Sequence, residues 1–165
     1  MNPRRLIRLL ILLAVTIAMI NVVPIALRAE TPAEQAKYCG GISLTTDLLD
    51  KMDAFVKTTS ADAAAKAELT EIGKDPAAGT TPEGWVSAVN SKCPKVVANL
   101  KSAGISVDDF AKGMFALMGC SMTEDFTKSE DTTLKANAEF MKANNDRASK
   151  VFMAFMELTN PFDKK

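Results

Sequence analysis

The sequence predicts an all-α protein, an irregular bundle of five to seven helices preceded by an N-terminal signal or anchor helix. Three observations predict it. After residue 30 the apolar residues recur at helical spacing, and no alternating apolar run marks a strand. Capping signals punctuate the chain at Thr31-Pro32-Ala33-Glu34, Thr80-Thr81-Pro82-Glu83 and Ser106-Val107-Asp108-Asp109. Residues 1–29 read as an export segment, basic and then apolar.

Met1–Arg8 carries Arg4, Arg5 and Arg8, and Leu9–Ile20 is apolar apart from Thr16. The weaker stretch Asn21–Leu27 contains Pro24, and Ala29 offers a small residue at a cleavage point, although Leu27 is larger than usual two positions earlier. A cleaved secretory signal peptide is the favoured reading. The alternative is an uncleaved membrane anchor, because Leu9–Leu27 is close to the roughly 20 residues a span requires. Three Arg before that segment and Arg28 after it would place the N-terminus in the cytoplasm. Both readings export residues 30–165 as a single helical domain, periplasmic or secreted, or tethered to the inner membrane.

The first helix of that domain opens at Thr31-Pro32 and stops at Gly40-Gly41. Leu44, Leu48, Leu49, Met52, Phe55 and Val56 define a second helix from about Thr46. The Ala-rich run Asp62–Ile72 either continues it or follows a break at Thr58–Ser60. Gly73–Thr81, with Pro76 and Gly79, is a loop before a short helix bearing Trp85, Val86 and Val89. Pro94 starts a helix with Val96, Val97 and Leu100, closed by Gly104. The next helix carries Val107, Phe110, Met114, Leu117 and Met118 on one face. After a polar stretch, Glu124–Thr132, a C-terminal pair spans roughly Thr133–Asn144 and Asp146–Leu158, with a break or kink at Asn144-Asn145-Asp146 and a stop at Pro161.

The stretch Cys93-Pro94-Lys95-Val96-Val97-Ala98-Asn99-Leu100-Lys101-Ser102-Ala103-Gly104-Ile105-Ser106 stands out, together with Asp109-Phe110 and Asn137-Ala138-Glu139-Phe140-Met141-Lys142-Ala143-Asn144. It resembles small exported all-helical bacterial proteins, over roughly residues 82–145. The shared positions are caps and core residues, so the resemblance implies fold and export and carries no activity or site residue.

The chain has 20 Lys+Arg, 20 Asp+Glu and no His. Setting aside the four Arg of residues 1–29, which hold no acid, leaves 16 basic against 20 acidic side chains. That acidic body argues against a nucleic-acid partner, which demands a concentrated basic surface. Without His there is no imidazole base, no His metal ligand and no group of that kind titrating between pH 5 and 8. No G-x-S-x-G, phosphate-cradling glycine loop or dinucleotide fingerprint appears. The expectation is a protein that is not an enzyme and takes no cofactor.

Export permits disulfides, and Cys39, Cys93 and Cys120 allow three pairings. If the helices flanking Gly104 pack antiparallel, Cys93 and Cys120 lie about 18 and 22 Å from the turn, at about 1.5 Å per residue. The expected bridge is therefore Cys93–Cys120. Cys39 is then left over, as a reactive thiol or for an intermolecular bridge.

Met114, Met118 and Met122, with Cys120 beside them, form a soft-ligand set suited to Cu(I). The same methionines also continue the apolar face begun by Val107 and Phe110, where Met fills core gaps. Asp47, Asp50 and Asp53 recur on one helix face, and Glu124-Asp125 and Glu130-Asp131 flank a loop. None of these has EF-hand spacing, and a solvated face accounts for the first three. Asp108 and Asp109 belong to a capping box rather than to an acid–base pair. Tyr38, Trp85 and Phe126 are the candidate partner-contact aromatics, with the alternative that each tucks its segment onto the core.

The expectation that follows is a non-catalytic exported protein that binds a protein partner at the cell envelope. Membrane contact would run only through residues 1–29, if these are retained. In that case the body is an accessory subunit of a membrane complex, with loops 73–81 and 124–132 facing its neighbours. The alternative function is a periplasmic copper carrier.

Overall fold

Side-chain caps set where the helices begin. The structure, a computed structural model, describes residues 31–75, 78–121 and 126–159, so the expected leader, Met122 and Glu124-Asp125 lie outside the described residues. Thr31 Oγ1 accepts from the Glu34 N–H at 3.3 Å while Glu34 Oε2 accepts from the Thr31 N–H at 2.8 Å. This reciprocal box, with Pro32 at the first helical position, opens α1, Pro32–Cys39. Thr45 opens α2, Thr46–Ala61, by accepting from the Leu48 N–H at 3.1 Å. Asp62 has extended backbone, ends α2, and caps α3, Ala63–Ile72, through the Ala64 and Ala65 N–H groups. The run from Thr46 to Ile72, left open by the sequence, is thus two helices. Thr81 opens α4, Pro82–Lys92.

The next helix is capped from elsewhere in the fold. Its N-cap, Cys93, makes no side-chain cap bond, and α5 runs Pro94–Ser102. Glu68 reaches over from α3 instead, and its Oε2 accepts from the Lys95 and Val96 N–H groups at 2.9 and 3.0 Å. The orphan donors of α5 are satisfied by a carboxylate at the positive end of the helix dipole. At the other end Gly104, at φ 71°, forms a Schellman turn. The Ile105 N–H donates to the Leu100 carbonyl and the Gly104 N–H to that of Lys101. Ser106 Oγ then accepts from the Asp109 N–H at 3.0 Å and opens α6, Val107–Ser121.

A 3₁₀ turn, Phe126–Lys128, leads to Asp131, whose Oδ1 accepts from the Thr133 and Leu134 N–H groups and caps α7, Thr132–Thr159. Two helices were expected here, with a break or kink between them. The structure has that kink: Asn144 leaves helical geometry (φ −122°, ψ 18°) inside α7, and its side-chain amide donates to the Phe140 carbonyl. Seven α-helices and no strand make up the described residues.

The core forms around α6, which buries Phe110, Ala111, Met114, Ala116 and Leu117. The Phe110 ring meets Phe55 of α2 at 4.6 Å, Phe155 of α7 at 5.2 Å and Trp85 of α4 at 5.4 Å. Edge-to-face and tilted arrangements of this kind add about 1 kcal/mol per pair beyond the burial itself. Leu49, Met52, Leu69, Leu100 and Val151 complete one continuous cluster.

Replacing Phe110 by Ala is expected to cost about 4 kcal/mol of unfolding free energy, read from chemical denaturation. Glu68→Ala is expected to cost about 1–2 kcal/mol and to lower amide protection first at Lys95 and Val96, read by hydrogen exchange. The Ala65 N–H bond holds the Asp62 carboxyl below its usual value; Asn99, Ala64 and Lys95 add to this and desolvation opposes it. Because the folded-state value is lowered, this stabilisation is present above the ordinary carboxylate range and lost as pH falls through the folded value. The stability gap between wild type and Asp62→Asn should therefore shrink as a denaturation series moves from neutral to strongly acidic pH.

Candidate functional site

The strongest constellation lies where α1 crosses the C-terminal end of α6. Cys39 closes α1 and is fully buried, whereas Cys120, one residue from the end of α6, is half-buried. Their sulfurs are bonded, with Cα atoms 5.0 Å apart and a separation of 81 positions in sequence. In the chain-entropy account a loop of that length contributes up to about 4 kcal/mol. Gly119 permits the approach, since a Cβ there would sit 2.8 Å from the Gln35 carbonyl oxygen and 2.9 Å from the Cys39 nitrogen. Tyr38 lays its ring 5.1 Å from that of Phe115 and donates its hydroxyl to the Thr80 carbonyl at 3.4 Å.

Asn137 of α7 clamps the segment that follows. It is 1% exposed. Its Nδ2 donates to the carbonyls of Cys39 and Ile42 at 2.5 and 2.7 Å, and its Oδ1 accepts from the Leu44 N–H at 2.8 Å. Both amide hydrogens and the oxygen are used, so the irregular 39–44 segment enters the core with its backbone polar groups paired.

The pairing corrects the expected Cys93–Cys120 bridge. That expectation assumed α6 folds back along α5, but beyond the Gly104 turn α6 packs along α1 and α4 and touches α5 only slightly. Cys93 is instead a free, buried thiol at the α4–α5 junction, with its Sγ 3.7 Å from the Glu68 carbonyl oxygen. Burial, and then the Glu68 carboxylate, push this thiol up to about 11 against the pull of Lys92. Cys39, expected to be left over, is held in the bridge and is no reactive thiol.

Of the soft-ligand set, Met122 lies outside the described residues and the other members are differently placed. Met114 is buried in the core, Met118 is half-buried, and the Cys120 sulfur is bonded to Cys39 rather than open to a metal. Among the described residues no three His, Cys, Asp or Glu side chains converge as ligands. The acidic stripe of α2 is an ion-paired surface, with Asp47 on Lys51 at 2.7 Å, Asp53 on Lys57 at 2.6 Å and Asp50 on Arg147. Ser106 caps α6 by accepting from the Asp109 N–H, and its hydroxyl donates to the Asp109 carboxylate. The Asp108 carboxylate pairs with Lys112 at 2.7 Å.

Of the three aromatics expected at a contact surface, Trp85 is a core residue, buried against Phe110 and Phe155. The short helix α4 packs closely on α6 and turns this side chain inward. Tyr38 and Phe126 are half-buried, the first on α6 and the second in the 3₁₀ turn that leans on α7.

A second feature is concave. The Schellman turn opens a surface groove of about 300 Å³, lined by Val97, Leu100, Lys101, Gly104, Ile105, Ser106 and Val107. Leu100 and Ile105 form an apolar floor, while Lys101 and Ser106 give it a polar rim. The chain matches no family model, no curated protein and no solved structure. The arrangement itself must therefore carry the reading. It offers a dithiol–disulfide couple and an apolar groove, while Asp108 is engaged in an ion pair and Asp109 in the cap of α6.

Sequence reasoning singled out neither Asn137 nor Gly119 as a site residue. Both had a signal. Asn137 stands at an apolar-face position between Leu134 and Met141, where an amide must find buried partners. Gly119 sits inside a helix, where glycine costs stability unless close approach requires it.

Asn137→Ala is expected to cost about 3 kcal/mol, because it strands the Leu44 N–H and two carbonyls inside the fold. Urea denaturation of the oxidised protein measures this. Iodoacetamide at mildly alkaline pH is expected to label none of the three cysteines in the native oxidised protein and one after unfolding without reductant. Intact mass reads the outcome, and rapid native labelling of Cys93 would contradict its burial.

Proposed function

We propose that this chain is a non-catalytic exported helical domain that binds a protein partner at the cell envelope. The observation that carries the reading is the Cys39–Cys120 bridge. Such bonds persist in oxidising compartments, and this one follows a basic and apolar leader typical of exported chains. No helix among the described residues is long and apolar enough to cross a membrane, which leaves residues 1–29 as the candidate for any tether.

The groove at the α5–α6 turn supports binding. An apolar floor with a lysine and a hydroxyl at its rim suits an apolar side chain of a partner, flanked by a carboxylate or backbone carbonyl. The absence of His from the sequence favours contact over catalysis. Where the leader is retained, α1 begins directly after it, and the body becomes an accessory subunit held beside a membrane complex. Where it is cleaved, the body is free in the periplasm or outside the cell.

Chemical cross-linking in native cells, followed by purification of the full chain, tests the proposal. A reproducible cross-linked partner is expected, with binding by a Val97→Asp/Val107→Asp double variant weakened at least about tenfold. Both positions are half-buried at the groove, so circular dichroism of the variant should match wild type. N-terminal sequencing of the same preparation is expected to give a start near Glu30, and a start at Met1 would favour the tethered version. Recovery of the protein from the cytoplasm with all three cysteines reduced would overturn the proposal.

A further inference from the structure

The α1 helix is attached to the body without belonging to its core. The continuous cluster of buried apolar residues runs from Leu44 to Leu158 and takes no member from α1. Within α1 only Gln35 and Cys39 are buried, and the helix is eight residues long. A helix that short is marginal by itself in water, so its order depends on what fastens it. The fastenings lie toward its C-terminal end: the bond from Cys39 to Cys120, the seat against Gly119, the Tyr38 ring on Phe115 with its hydroxyl on the Thr80 carbonyl, and the Asn137 amide on the Cys39 carbonyl. Asn137 also grips beyond the pair Gly40-Gly41, at the Ile42 carbonyl and the Leu44 N–H. From Ile42 onwards the chain is tied into the core, and of the fastenings of α1 only the bridge is covalent.

We infer that α1 is a redox-released strap: reduction of Cys39–Cys120 frees residues 32–39 about the Gly40-Gly41 hinge, while the body from Leu44 onwards keeps its fold. The inference concerns the chain alone and does not rest on the partner reading. The reductant is a dithiol, small or on a protein. One thiolate attacks the half-buried Cys120 sulfur, breaks the bond to Cys39 and forms a mixed disulfide. The second thiol resolves it, and the reductant leaves as its own disulfide. Two electrons and two protons end on Cys39 and Cys120. Release lifts Tyr38 from Phe115 and uncovers the stretch of α6 around Phe115, Met118 and Gly119. It also adds the strap to whatever precedes it, lengthening the reach of the N-terminal segment by up to about 3.3 Å per residue freed.

Hydrogen exchange on the full chain tests this, comparing the oxidised protein, the protein reduced with dithiothreitol, and the Cys39→Ser/Cys120→Ser double variant without reductant. Peptides covering 32–39 should exchange at least about tenfold faster in the reduced protein and in the variant. Peptides covering 48–56, 110–117 and 148–158 should keep their protection. Iodoacetamide added to the reduced native protein should label two thiols promptly and spare Cys93, which is 1% exposed. Unchanged protection of 32–39 after reduction would overturn the inference, since the strap would then be held without the bridge. Loss of protection across 110–117 and 148–158, or prompt labelling of all three thiols, would overturn it equally, since the bridge would then hold the whole body.

Discussion

Phe110 is the residue on which the packing of this molecule converges. An all-helical fold has no ladder of hydrogen bonds between its elements, so its helices are held in place by side-chain contact alone. Here one fully buried ring touches Phe55, Trp85 and Phe155, which stand on three other helices. Around it α6 is lined with small or flexible side chains, Ala111, Ala116 and Met114, so that neighbouring helices approach closely. The features at the surface, the bridge at one end of α6 and the groove at the other, are positioned by this central helix.

The fold was legible where local chemistry decides it. The capping box at Thr31, the N-cap at Ser106, the glycine turn at Gly104 and the apolar periodicity of α2 and α6 all act within a few residues, and the structure has them where the sequence puts them. What could not be read was direction. The choice between Cys39 and Cys93 as the partner of Cys120 depends on the angle at which α6 leaves the Gly104 turn, and no periodicity encodes that angle. Trp85 shows the same gap. Its position on a short helix leaves open whether it faces a partner or the core, and packing on α6 sends it inward. The Asn144 kink was ambiguous for a different reason, because three polar residues in a row either end a helix or bend it. Asn144 alone leaves helical geometry, so the chain bends there and the helix resumes beyond it.

The candidate site was legible only in part, and mainly by exclusion. The absence of His removes imidazole-based nucleophilic and metal chemistry on composition alone. The positive features depend on long-range meetings, between Cys39 and Cys120 and between Asn137 and the 39–44 segment. Both join residues more than eighty positions apart in sequence. A close neighbour in sequence can be scanned for, whereas a partner at that distance is fixed only by how all the helices pack.

The carboxylate of Glu68 has a consequence for the order in which the chain assembles. It sits on α3 and serves as the start signal of α5, a helix whose own first residues provide none. Until α3 arrives, the leading amides of α5 have only water to bond to, so α5 is a poor seed for folding despite its well-formed exit turn. The two helices should instead form as a single cooperative piece. A nascent chain would then gain α5 only by docking it onto α3, which makes this pair, although separated by α4, one unit of structure formation and of local opening.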